Sequence, residues 1–155
     1  MRRFFLFLIV IFSNWGCKDE YNICNEPKDV RFIANFYQKI GSVEQLTTAP
    51  NLNVSSIPGN AFIYTNQPNI NSFSIPLNVG VDSAKYIISL SSALPQDTLT
   101  IVYTTQGGQN VSPNCPPLFL HNITRLYSTK NTIDSVKIIN PVLNTSLSQN
   151  AKIYF

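Results

Sequence analysis

Three cysteines hold most of the reactive chemistry in this chain: Cys17, Cys24 and Cys115. A thiol can carry lipid, close a disulfide, ligate a metal or attack as a nucleophile, and its neighbours decide which. The chain has a single histidine, His121. A zinc site needs three or four ligands, so the cysteines and His121 are too few and too scattered to predict one. His121 has no Ser or Cys assigned to it by spacing, and a satisfied or solvent-facing histidine is the expectation. The carboxylates Asp19 and Glu20, and the isolated Asp82, Asp97 and Asp134, are the candidates for an acid/base pair. Their places at turns and strand starts favour structural work, and Asp97 reads as the start of a strand after Pro95. No segment has the alternating oxygen ligands of a calcium loop, and Gly107-Gly108 reads as a hairpin turn. The expectation is therefore no catalytic residue, no metal and no cofactor.

Cys17 has the most informative surroundings. Arg2-Arg3 is a short basic start, and Phe4 to Phe12 is an unbroken apolar run, FFLFLIVIF. A membrane-spanning helix needs about 20 apolar residues, whereas this run has the length of a signal-peptide apolar segment. Gly16 then precedes Cys17 directly. That pair resembles the bacterial lipobox, in which the thiol of the first mature residue becomes a diacylglyceryl thioether and a small neighbour permits cleavage. Asn14 and Trp15 stand where Leu and a small residue are usual; the lipoboxes of Bacteroidota tolerate such changes. Residues 1–16 are thus read as a signal peptide, Cys17 as the lipidation site and 17–27 as a tether. Several acyl chains anchor stably where one binds only marginally, so the partner implied is a membrane. The charged run Lys18-Asp19-Glu20 after Cys17 resembles the export signal of outer-membrane lipoproteins, and surface exposure is favoured over a periplasm-facing position.

With Cys17 assigned to lipid, Cys24 and Cys115 remain as an even pair. An oxidising compartment favours their joining. The loop from 24 to 115 would stabilise the fold by roughly 4–5 kcal/mol in the chain-entropy view. A catalytic or metal-bound thiol is the alternative.

Composition narrows the class. Hydrophobic residues make up 44% of the 155, enough for one domain with a real core. Charged residues are only 12%, about half the usual share, with Ser, Thr and Asn filling the polar positions. Without Arg2 and Arg3 the balance is 9 basic to 8 acidic residues, which leaves no electrostatic footprint for nucleic acid.

Period-2 alternation must position these groups. Phe32, Ala34 and Phe36 fall on one face, as do Phe73, Ile75, Leu77 and Val79, then Tyr86, Ile88 and Leu90, then Leu99, Ile101 and Tyr103. Val136 with Ile138 and Ile153 with Phe155 follow. Turn signals separate the runs at Pro58-Gly59-Asn60, Asn66-Gln67-Pro68-Asn69, Pro95-Gln96-Asp97 and Gly107-Gly108. Gly41 to Thr48 reads as loop. Pro76 marks an edge strand or a bulge, and the final strand must pair within a sheet. Residues 28–155 are expected to form one all-β domain, an antiparallel sandwich of about seven to nine short strands, with a small barrel as the alternative.

Tyr37, Tyr64, Tyr86, Tyr103, Tyr127 and Tyr154 lie in or beside strand patterns. Packing is the expected role; an exposed, coplanar set would instead stack on sugar rings. Cys24, Arg31-Phe32, Asp97 to Tyr103, Cys115 and the closing Lys152-Ile153-Tyr154-Phe155 together resemble a family of small Bacteroidota lipoproteins known only as a domain of unknown function. Pro116-Pro117 stand where relatives carry Gly and an aromatic. The resemblance implies no activity and no site residues. The expectation is a non-catalytic, lipid-tethered envelope module that binds another protein or stabilises an assembly. A glycan-binding accessory protein of a polysaccharide-uptake system is the second reading and a hydrolase the third.

Overall fold

The computed structural model describes residues 30–109, 115 and 117–155. Among them are eleven strands and no helix: β1 (Arg31–Ile40), β2 (Val43–Leu46), β3 (Ala49–Ile57), β4 (Phe62–Ile70), β5 (Ser72–Pro76), β6 (Ser83–Ser89), β7 (Asp97–Gln109), β8 (Leu118–Ser128), β9 (Ser135–Ile138), β10 (Val142–Leu143) and β11 (Ala151–Tyr154). One sheet runs β2-β1-β11-β9, with β5 also paired to β1; the other runs β10-β8-β7-β6-β3-β4. The two sheets stack face to face and do not close into a barrel, so the sandwich expectation holds. Eleven strands exceed the expected seven to nine, and two of them, the exposed β2 and the two-residue β10, carry no alternation of their own.

The core strands turn one side inward, as the pleat allows. Phe32, Ala34 and Phe36 of β1 are fully buried, as are Leu52 and Val54 of β3 and Leu99 and Ile101 of β7. The core is aromatic at one side. Phe36 stacks on Phe73 at 5.4 Å and meets Phe155 edge-on at 5.6 Å, both favoured geometries for ring quadrupoles.

β1 has two partners on one edge. Arg31–Asn35 pair with β5, and Tyr37–Ile40 pair with β2. Phe36 sits where the partner changes. Its N–H donates to Asn71 O at 2.9 Å, and its carbonyl accepts the Thr47 N–H at 3.0 Å. Thr47 and Asn71 are also where the chain passes between sheets, so one residue of β1 satisfies both crossings. Pro76 ends β5, an edge strand, opposite Arg31, as its missing N–H requires.

Four local expectations are corrected. The pairing is not wholly antiparallel: β1 and β11 run parallel, with Ala34 opposite Ala151 and Tyr37 opposite Tyr154. Gly41 to Thr48 is not simply loop, since Val43–Leu46 form β2 against Tyr37–Ile40; the strand is exposed along its length, so it lacks the apolar stripe that would reveal it. Asn66 to Asn69 is not a turn between strands but an irregular stretch inside β4, where Asn66 and Asn69 take φ of 47° and 54°. Gly107-Gly108 is likewise within β7, at a register shift between Gln106 and Gln109. Turn-forming residues serve there as bulge residues, because both roles need the same backbone freedom.

Candidate functional site

Cys17, Lys18, Asp19, Glu20 and Cys24 lie outside the described residues, as does residue 116 beside Pro117. Cys115 is described and half-buried. Among the described residues, no group of three or more His, Cys, Asp and Glu is placed to hold a metal ion.

Two groups able to move protons, Asp97 and His121, are buried and hydrogen-bonded within the fold. Asp97 opens β7 and is 2% exposed. One carboxylate oxygen accepts the Thr129 hydroxyl at 2.7 Å and the Asn131 N–H at 2.8 Å; the other accepts the N–H groups of Thr132 and Ile133 at 2.8 Å each. Burial by itself would push this carboxyl up, but the Thr129 hydroxyl and the three backbone donors outweigh it and hold the carboxyl below its ordinary range. Asp97 thus pins the turn between β8 and β9 to the start of β7. His121 is 3% exposed. Its Nδ1 lies 3.0 Å from the Thr105 hydroxyl, and its ring meets Tyr103 edge-on at 5.2 Å. Burial lowers its basicity, so it packs as a neutral, satisfied ring. Asp82 and Asp134 are exposed beside strand ends.

The tyrosines also mostly serve the fold. Tyr86 and Tyr103 are buried, and their hydroxyls donate to Pro76 O and Asn78 O, fastening the β5–β6 connection. Burial, aided by Tyr103, pushes the Tyr86 phenol up to about 12. Tyr64 and Ser74 exchange bonds, with the Ser74 N–H donating to the Tyr64 hydroxyl at 3.0 Å.

The closing segment divides its side chains between two jobs. Ile153 enters the core, while Lys152 and the buried Tyr154 lie on the other face of the strand and reach Glu44 of β2 at 2.6 and 2.9 Å. Lys152 lies 4.5 Å over the Tyr37 ring and Lys39 4.8 Å over the Tyr154 ring. Hydrogen bonds from Lys152 and Tyr154 draw Glu44 below its ordinary range, and the Glu44 bond raises Lys152. This cluster closes the short edge strand β2 onto its sheet.

A residue unmarked by sequence reasoning completes that sheet. Asn150 is 1% exposed. Its N–H donates to Ile33 O at 2.8 Å and its Oδ1 accepts the Ile33 N–H at 2.9 Å. Its Nδ2 donates to the carbonyls of Asn140 and Val142 at 3.1 and 3.3 Å. The residue before β11 thereby mimics another strand residue and sets β11 parallel to β1.

Among the described residues, a surface where uncharged polar groups converge lies on the outer face of the second sheet. The β3–β6 register sets Asn53 beside Ser89 and Ser55 beside Ile87. These four form the floor of an open groove of about 400 Å³. Phe62, paired with Ser55 across the β3–β4 hairpin, stands at its edge and is 69% exposed. Asn60 and Gln96 complete the rim. Gly59 supplies the positive φ of 107° that this hairpin turn requires, and Asn60 follows at 50°. Phe62 was not among the aromatics marked in the sequence; its place two residues after Pro58-Gly59-Asn60, on the exposed arm of a hairpin, is the signal that would have found it.

The profile of a family of unknown function, DUF6452, matches residues 51–155. The chain belongs to that family. No curated protein matches the chain, and no solved structure does. The DUF6452 span takes in Asp97 to Tyr103, Cys115 and Lys152 to Phe155, whereas Cys24 and Arg31-Phe32 precede it. It holds nearly all of β3 and everything described after it, including the groove and Asn150. It omits β1, which lies between β5 and β11 in the first sheet. The folding unit is therefore longer than the DUF6452 span, because Phe73, Ile75, Ala151 and Ile153 are buried on a sheet that β1 holds together.

Proposed function

We propose that this protein is a lipid-anchored module of the cell envelope whose domain binds a partner and does not catalyse. The observation that carries the reading is the N-terminal order of Arg2-Arg3, the apolar run Phe4 to Phe12, and Gly16 before Cys17. Lys18-Asp19-Glu20 after the anchor supports the outer membrane, on its exposed side. Cys115 is disulfide-bonded, which supports its pairing with Cys24 once Cys17 carries lipid. The non-catalytic part is supported by the use of Asp97 and His121: each is buried and hydrogen-bonded within the fold.

The test is Cys17→Ala in the native host, read by labelled-palmitate incorporation and by fractionation. The variant is expected to lose the label and to leave the membrane fraction. Membrane retention without label refutes the anchor. Protease digestion of intact cells then separates the two faces of the outer membrane, and crosslinking from intact cells captures the partner.

A further inference from the structure

We propose that the groove between Phe62 and Gln96 is a binding site for a neutral carbohydrate chain, with Phe62 stacking on a sugar ring. The inference rests on the reading of the domain as a binding module.

Exposure is the first reason. Phe62 leaves 69% of its surface to solvent. Scattered apolar residues on a surface need no account. A phenyl ring standing over a concave, polar floor is a different arrangement, and it is what a flat ligand with an apolar face would use.

The chemistry of the lining is the second reason. Asn53, Ser55, Ser89, Asn60 and Gln96 are all uncharged amides and hydroxyls. No Asp, Glu, Lys, Arg or His lines the groove. An anionic ligand would lose its hydration there with no counter-charge, and a cation or metal would find no carboxylate. A purely apolar peptide would leave the amides unpaired. A neutral sugar offers a C–H face to Phe62 and Ile87, and hydroxyls that both donate and accept to the amides.

Pre-positioning is the third reason. The Asn53 Oδ1 already accepts the Asn66 N–H at 2.8 Å, which fixes the amide and leaves its NH₂ to donate. Asn60 is held by the turn, with its N–H on Ser56 O at 2.9 Å and φ at 50°. Groups already held in place lose less freedom when they bind. The volume of about 400 Å³ falls in the usual range for small-ligand sites, about 300–1,000 Å³, and suits one or two sugar rings of a longer chain passing through an open groove.

Tyr127 supplies the control. It is 52% exposed and faces the same side, opposite Thr100 on the neighbouring strand, but it is not part of the groove. The experiment is affinity gel retardation of the full-length, detergent-extracted protein. The neutral probes are soluble starch, mixed-linkage β-glucan, galactomannan and arabinoxylan; polygalacturonate is the anionic probe. At least one neutral polysaccharide is expected to retard the protein, and polygalacturonate is not. Phe62→Ala should weaken that retardation roughly tenfold, the scale expected for losing one stacked ring, with an unchanged melting temperature because the side chain is exposed. Tyr127→Ala should bind as the wild type does. The proposal is overturned if no neutral probe retards the protein, if the anionic probe binds best, if Phe62→Ala binds normally, or if Tyr127→Ala loses as much. Shortening of the bound polysaccharide during incubation would sink the non-catalytic reading while leaving the groove assignment standing.

Discussion

Asp97 offers the sharpest test of how this fold is held. Replacing it with Ala removes the acceptor for four hydrogen bonds at 2.7–2.8 Å. The donors differ in what they can do next. Asn131 is exposed and Thr132 half-buried, so their N–H groups regain water with a small movement of the turn. Ile133 is 1% exposed, and its N–H has no such recourse. A buried donor left unpaired costs about 1–3 kcal/mol, and a hydrogen bond to a charged group contributes about 1.5–3 kcal/mol net. Summed, and offset by relief of the carboxylate's own burial, the loss comes to about 3–4 kcal/mol. For a domain of this size that lowers the melting temperature by roughly 10–15 °C. The assay is urea unfolding at pH 7, with amide exchange at Asn131 to Ile133 as the local readout. The carboxyl is held below its ordinary range in the folded state. Its stabilisation is therefore complete above the unfolded value of about 3.9 and declines as pH falls through the folded value. The gap between wild type and Asp97→Ala should narrow in that acid range and nowhere else. A loss under about 1 kcal/mol at neutral pH, or a gap that persists unchanged into acid, would refute the reasoning.

Three further outcomes follow from named contacts. Asn150→Ala should cost about 2–3 kcal/mol in urea unfolding, since Ile33 N–H and two carbonyls lose their partner; Asn150→Asp should cost more, because it sets a carboxylate against the carbonyls of Asn140 and Val142. A Cβ added at Gly108 collides with the Pro117 ring, whereas one at Gly107 meets nothing within 4 Å. Gly108→Ala should therefore lose about 1–3 kcal/mol by overpacking, with Gly107→Ala close to wild type by thermal melting. Absorbance titration should show the Tyr86 phenol ionising only at about 12. Because its folded value is raised, it stabilises fully below the unfolded value of about 10 and the contribution is lost as pH rises toward the folded one; Tyr86→Phe should flatten the stability profile across that window.

β1 and β7 were legible because a half-buried strand must alternate, and Phe32-Ala34-Phe36 and Leu99-Ile101-Tyr103 do so without interruption; β3, β4 and β8 were not read, since Val54 and Ser55 of β3 are both buried and β4 is largely exposed. β2 was not, because an exposed edge strand buries nothing and so writes no stripe. Asn66 to Asn69 and Gly107-Gly108 were misread as turns between strands because turn-forming residues also serve irregular stretches inside a strand: Asn66 and Asn69 take positive φ within β4, and Gly107-Gly108 sit at a register shift within β7. The groove was hidden for a different reason. Asn53, Ser55, Phe62, Ile87, Ser89 and Gln96 are spread over 44 residues of sequence, from 53 to 96, and only strand register makes them neighbours.

What the chain by itself determines is local: which residues face inward along a strand, and the N-terminal pattern around Cys17 on which the anchor is proposed. Both depend on neighbours a few residues apart. The tertiary structure alone decides the rest. That β1 lies parallel to β11, that Asn150 fastens Ile33 from 117 positions away, and that Asp97 satisfies a turn more than thirty residues downstream are outcomes of burial. A buried donor must find an acceptor wherever the fold brings one, and no local pattern in the sequence records which one it will be.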